Sequence, residues 1–147
     1  VHTRWNLPIV NPLVQGAATS LQSLGVSPTD ITIHQVPGSF ELPFAVQTLL
    51  ASAKAAGKPF DAAIPIGVLI KGSTMHFEYI ADAASQGIMR VGLEAGIPVI
   101  FGLLTCLTED QALERAGVGK GASKGHNHGE DWGMGAVEMA VLNKRGA

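Results

Sequence analysis

Two short runs, residues 62–70 and 98–104, are apolar or small at every position. A strand with one wet face alternates polar and apolar residues, whereas a strand covered on both faces reads as unbroken apolarity. These runs therefore point to buried strands of a parallel sheet. A third, β-branched run covers 31–36, and Val1-His2-Thr3-Arg4-Trp5-Asn6 reads as the tail of a further strand. No apolar stretch reaches the roughly 18 residues of a membrane-spanning helix.

Between these runs the period changes. Within 41–56, apolar or small residues fall at Leu42, Ala45, Val46, Leu49, Leu50 and Ala53, the spacing of a one-faced helix. Pro43 belongs in its first turn, Ser39 is placed to cap it, and Glu41 sits at the positive end of its dipole. Residues 75–95 repeat the pattern at Ile80, Ala83, Ala84, Gly87, Ile88, Val91, Gly92 and Ala95, a stripe small enough for close packing on a sheet or another subunit. Helices are also expected over 7–24, 109–116 and 131–143, whereas 117–129 is too glycine-rich to hold one. Strands alternating with helices predict an α/β fold built from right-handed βαβ units. Pro65 conflicts with its run, since it has no N–H for a central ladder. Either the strand is bulged there or its hydrogen-bonded part begins at Ile66.

The 147 residues, 46% hydrophobic, suit one domain over 1–147, with neither internal repeat nor linker. Ten Lys and Arg against 12 Asp and Glu leave a charge of −2. That removes any broad electrostatic basis for holding nucleic acid or an anionic membrane, so an anion site must be local. Cys106 is the one cysteine, which rules out an intrachain disulfide and fits a reducing, cytoplasmic setting. The first residue is Val1, not Met, and an upstream segment is expected to precede it.

In an open parallel sheet, ligands gather where the strands end and strand-to-helix loops converge. Three such places carry unusual residues: Arg4-Trp5-Asn6, Val36-Pro37-Gly38-Ser39-Phe40-Glu41, and Gly67 through His76. Trp5 reads as a core or interface aromatic, or as a flat ring stacked on a planar heterocycle. Ser39 reads as a cap, Phe40 as packing, and Glu41 as either a dipole partner or a ligand group. Lys71-Gly72-Ser73-Thr74 places a glycine turn and hydroxyls before a helix, where backbone N–H groups and the dipole suit a phosphate. The order is not that of a Walker A loop. His76 falls in the first turn of that helix, where the dipole favours a neutral ring able to accept a proton. His126 and His128, with Glu130 and Asp131, raise a zinc or nickel site, but the spacing matches no strong signature and no metal is expected.

Arg4-Trp5-Asn6, Val36 through Pro43, Gly67 through His76, Pro98-Val99-Ile100-Phe101-Gly102 and Glu114-Arg115-Ala116-Gly117, in that order and spacing, resemble lumazine synthase along nearly the whole chain. The resemblance implies condensation of 5-amino-6-(D-ribitylamino)uracil with L-3,4-dihydroxy-2-butanone 4-phosphate to 6,7-dimethyl-8-ribityllumazine in riboflavin biosynthesis. It implies no metal and no organic cofactor. The implied fold is a flavodoxin-like three-layer α/β/α sandwich around a four-stranded parallel sheet, assembled as homopentamers, some of which build sixty-subunit capsids. Carried over by residue, Trp5 stacks on the pyrimidine beside Asn6, while Ser39, Phe40 and Glu41 hold the uracil and its ribityl chain. Leu69, Ile70 and Lys71 line the heterocycle, and Gly72, Ser73, Thr74 and Arg115 bind phosphate. His76, with Arg115, carries the catalysis, and Phe101, Lys124 and Arg115 come from the neighbouring subunit.

Two departures stand out. The connection over 117–133 is long, as in the fungal branch, where extra residues accompany free pentamers; a pentamer is expected, and the match of Lys124 depends on how the gap is placed. Pro65 is the second. The runner-up function is a non-catalytic flavin- or lumazine-binding protein, which would have no need of Thr74, His76 and Arg115 together. A structural shell protein would tolerate changes at Glu41, His76 and Arg115.

Overall fold

The computed structural model describes residues 1–121 and 124–145. The apolar run around Pro65 becomes strand β3, Ile66–Ile70, so the second alternative holds: the ladder begins just after the proline. Pro65 lies between that strand and an isolated bridge, Ala63 to Val99. Its carbonyl also dictates its neighbour, because a Cβ at Gly102 would lie 2.5 Å from the Pro65 oxygen.

In chain order the elements are β1 (His2–Thr3), α1 (Leu7–Ser23), β2 (Gln35–Val36), α2 (Leu42–Ala55), β3, α3 (His76–Ala95), β4 (Gly102–Cys106), α4 (Glu109–Arg115) and α5 (His128–Arg145). Short 3-10 turns occupy Pro28–Asp30 and Ser39–Glu41. The strands form one all-parallel sheet in the order β2-β1-β3-β4, with Ile66 opposite His2 on one side and Gly102 on the other. This is the flavodoxin-like α/β arrangement expected from the sequence.

Alternation along β3 and β4 sorts the core into two layers. Ile66, Val68, Leu104 and Cys106 pack with Ile9, Val10 and Leu13 of α1 and Ala112 of α4, with Trp132 of α5 against them. On the other face, Leu103 packs with Leu42 of α2 and Ala84 and Ile88 of α3. The small-residue stripe of α3 has a partner within the subunit, since a Cβ at Gly87 would fall 2.8 Å from the Pro43 ring.

Three boundaries differ from the sequence reading. Of the run 31–36 only Gln35–Val36 pairs, where it lies in register with the two residues of β1, His2 and Thr3. The strand expected over 98–104 runs instead over Gly102–Cys106, where the chain meets β3 in register. The last helix starts at His128, three residues early, because the Asn127 side chain accepts the Gly129 N–H at 2.9 Å and so caps the helix. The same amide donates to the Pro12 carbonyl at 2.8 Å, tying α5 to α1.

Candidate active site

The three loops singled out from the sequence leave the same edge of the sheet, at the carboxyl ends of β1, β2 and β3. Arg4, Trp5, Asn6 and Pro37 line a cleft of about 330 Å³ there.

Trp5 is 72% exposed, so the core reading fails and the ring is free to stack on a ligand. Its backbone is held by the fully buried Thr3, whose hydroxyl donates to the Trp5 carbonyl at 3.3 Å. Asn6, at φ 59, is the one non-glycine residue with positive φ among the described residues. Asparagine tolerates that left-handed conformation better than most residues. It breaks the chain direction between Trp5 and α1 while its carbonyl accepts the Ile9 and Val10 N–H groups, both at 2.9 Å. Its Nδ2 reaches the Val68 carbonyl at 3.4 Å. Thr3, a positioning residue, gave no signal in a two-residue strand.

In the second loop the expected cap is absent. Ser39 opens a 3-10 turn, and α2 is preceded by Glu41 with no side-chain cap bond. The Ser39 hydroxyl instead turns inward, at 6% exposure, beside Gly67, where a Cβ would lie 3.0 Å from Oγ. Phe40, read as packing, is 60% exposed. The Glu41 carboxylate projects next to Gly38, 3.1 Å from where its Cβ would be.

At the end of β3, Leu69 and Ile70 send their side chains into opposite core layers, leaving the strand's backbone end at the cleft edge. Gly72, Ser73, Thr74 and Met75 follow, all exposed, and His76 is the first residue of α3, as expected. Thr74 Oγ1 accepts the His76 N–H at 3.4 Å where the loop turns into the helix. The Lys71 ammonium pairs with Glu78.

Arg115 ends α4, with Nη1 donating to the Gln111 carbonyl at 3.2 Å. It lies near enough to β4 to offset part of the rise that burial imposes on the Cys106 thiol. Phe101 precedes the first residue of β4, at the opposite end of the sheet from the loops. The length of β3, roughly 16 Å at ~3.3 Å per residue, separates those two ends. Lys124 is exposed in the glycine-rich connection, its carbonyl accepting from Gly119 N–H at 2.9 Å. One subunit thus brings together Trp5, Asn6, the 39–41 segment and the 72–76 loop, but not Phe101.

Among the described residues no group of three His, Cys, Asp or Glu side chains is placed to hold a metal ion. His126 and His128 turn to Asp131 Oδ2, at 2.8 and 3.6 Å. No described helix is long and apolar enough to cross a membrane.

The fold and these converging loops define an α/β protein of the parallel-sheet class whose exposed polar and aromatic groups collect at the carboxyl edge of the strands. Residues 1–144 match the family described as 6,7-dimethyl-8-ribityllumazine synthase. Relatives bearing that name are similar to the chain: one from Schizosaccharomyces pombe is 54% identical over 96% of the chain and 84% of its own length. One from Pyricularia oryzae is 49% identical, covering 98% and 86%, and one from Streptomyces coelicolor is 42% identical, covering 86% and 74%. The chain belongs to the 6,7-dimethyl-8-ribityllumazine synthase family.

Proposed function

We infer that this chain condenses 5-amino-6-(D-ribitylamino)uracil with L-3,4-dihydroxy-2-butanone 4-phosphate, releasing phosphate and water to form 6,7-dimethyl-8-ribityllumazine in riboflavin biosynthesis. The observation that carries the reading is the meeting of an exposed Trp5, the Glu41 carboxylate and the 72–76 loop on one sheet edge, in a chain of this family.

Each group has a role that suits its placement. Trp5 stacks on the pyrimidine beside Asn6; Ser39, Phe40 and Glu41 hold the uracil and ribityl chain, with Glu41 accepting from sugar hydroxyls. The backbone of Leu69, Ile70 and Lys71 lines the ring. Gly72, Ser73 and Thr74 present N–H and hydroxyl donors at the N-terminus of α3, where the dipole favours the substrate phosphate. His76, next to that loop, moves protons as the imine forms, phosphate leaves and the ring closes. Most of the acceleration comes from holding two reactants in register and neutralising the departing phosphate.

Arg115, Phe101 and Lys124 act from the neighbouring subunit of a homopentamer. The distance of Phe101 from its own cleft supports this sharing. So does the exposure of Phe44, Tyr79, Met89 and Leu93, apolar groups that a monomer would leave to water. The cytoplasmic setting rests on the lone cysteine.

The decisive experiment mixes the purified protein with both substrates and follows lumazine fluorescence against the protein-free reaction. Acceleration that requires the phosphorylated ketone supports the enzyme. A rate equal to the control, with a ribityl ligand still bound, makes the cleft a binder's.

A further inference from the structure

Lys71 and Glu78 stand at the two ends of the loop that joins β3 to α3. The Lys71 N–H donates to the Cys106 carbonyl at 2.9 Å, carrying the β3–β4 ladder one residue past Ile70. Glu78 lies in the first turn of α3. Between them Gly72 to Met75 are exposed, and a Cβ at Gly72 would meet nothing within 4 Å, so packing does not shape this loop. Across it, Lys71 Nζ and Glu78 Oε1 form an ion pair, with the ammonium 5.8 Å from the centre of the Phe77 ring. The two side chains are 34% and 38% exposed. Glu78 Oε2 is itself buried and has no hydrogen-bond partner among the described residues.

We propose that the Lys71–Glu78 ion pair is a clasp that fixes the shape of the 72–75 phosphate loop, so that Lys71 is a positioning residue and not a phosphate ligand. The proposal rests on the reading above, that this loop takes the phosphate of the butanone substrate. With Oε2 buried and unpartnered, the Lys71 ammonium is the ion-pair partner of this half-exposed carboxylate, and removing it leaves Glu78 without a counter-ion. The ammonium therefore stays with Glu78 when phosphate arrives. Because one end of the clasp is anchored to the sheet and the other to the helix, it limits how far the loop can open. That restricts where the N–H groups of Gly72, Ser73 and Thr74 can point, and a binding site for a compact anion gains from such preorganisation.

The test uses the assembled enzyme with Lys71→Met, Glu78→Ala, the double variant and Lys71→Arg. The readouts are kcat, KM for each substrate, and inhibition by inorganic phosphate. Each single removal is expected to raise KM for the phosphorylated ketone and the phosphate inhibition constant by about fivefold, the upper scale of a partly exposed ion pair. KM for the ribityl pyrimidine should stay within about twofold, because that substrate is held elsewhere, and the double variant should be no worse than the poorer single one. Lys71→Arg, which preserves the pair, should keep most of the phosphate affinity. If Glu78→Ala leaves phosphate affinity unchanged or tightens it while Lys71→Met weakens it, Lys71 is a direct ligand and the clasp is wrong. Phosphate affinity unchanged in both single variants also overturns it. Glu78→Ala decides the matter by itself if Lys71→Met fails to assemble. Failure of the underlying reading shows separately, as a wild-type protein whose rate ignores the phosphorylated ketone.

Discussion

Trp5 and Glu41, 36 positions apart in the sequence, converge on Gly38: a Cβ at that glycine would lie 3.6 Å from Trp5 Cδ1 and 3.1 Å from Glu41 Oε2. The backbone of Gly38 is extended, with φ −152, so alanine is conformationally allowed there. What a methyl group disturbs is the far end of the Glu41 side chain, which can swing aside. Gly38→Ala is therefore expected to leave thermal stability nearly unchanged while raising KM for the ribityl pyrimidine by a few-fold. Steady-state kinetics alongside a melting curve check both halves.

The exposure of Trp5 makes a second prediction sharp. A residue this open contributes little to folding, so Trp5→Ala should melt near the wild type. Loss of ring stacking, about 0.5–1.5 kcal/mol beyond buried area, should weaken the pyrimidine substrate, and Trp5→Phe should recover part of it. A pyrimidine affinity equal to wild type in Trp5→Ala would remove the indole from the site.

Helix α5 offers opposite signs within one element. A Cβ at Gly129 would lie 2.1 Å from the Leu13 carbonyl, forcing α1 and α5 apart. Gly129→Ala should destabilise by roughly 1–3 kcal/mol or more, the cost of overpacking. At Gly135 the nearest atom, Ile100 Cδ1, is 4.0 Å away. Gly135→Ala should stabilise by about 0.5–1 kcal/mol through helix propensity. Urea midpoints of the two variants test the contrast.

The parts of this fold that could be read in advance are those fixed by local physics. Residues 62–70 announced a strand buried on both faces because nothing in them could face water, and the helical spacing of Leu42, Val46 and Leu50 marked the buried side of α2. Boundaries set by distant partners were harder. The paired part of β4 slides to Gly102–Cys106 because β3 supplies the register, and α5 gains a turn through an Asn127 cap that also answers Pro12. At the site, Thr74 and His76 follow from a glycine turn before a helix. The burial of Ser39 and the exposure of Trp5 do not, since Ser39 is buried by the way the second loop lies against Gly67, and Trp5 lies beside Gly38 of that same loop, contacts between segments distant in sequence. The Lys71–Glu78 pair was equally hidden: seven residues apart across a loop is not the i+3 or i+4 separation at which side chains pair on a helix.

Burial raises the Cys106 thiol above its ordinary range, and the Arg115 guanidinium offsets part of the rise. The folded protein thus holds that proton more tightly than the unfolded chain. The resulting stabilisation is complete below the unfolded thiol's pKa, about 8.5, and is lost as pH climbs through the higher folded value. Urea midpoints of the wild type should fall more steeply above that pH than those of Cys106→Ala, whose other titrating groups are the same. Parallel curves would show that thiol burial adds nothing to the alkaline slope.

The proposed sharing of the site between subunits makes the sharpest claim about assembly. His76 follows the 72–75 loop of its own chain, whereas Phe101 lies at the far end of the sheet; the proposed function gives Phe101 and Arg115 to a neighbour's cleft. A site then needs His76 from one protomer and Arg115 from the next. His76→Ala should lower kcat by about 10² with substrate binding retained, and Arg115→Ala should raise KM for the phosphorylated ketone. Unfolding and refolding the two variants together at equal concentration redistributes them at random. In a ring, about one interface in four then carries both intact residues, so at a ketone concentration well below the KM of the Arg115→Ala parent, activity should rise to roughly a quarter of the wild type. Both residues acting within one chain would leave the mixture at the mean of its two parents.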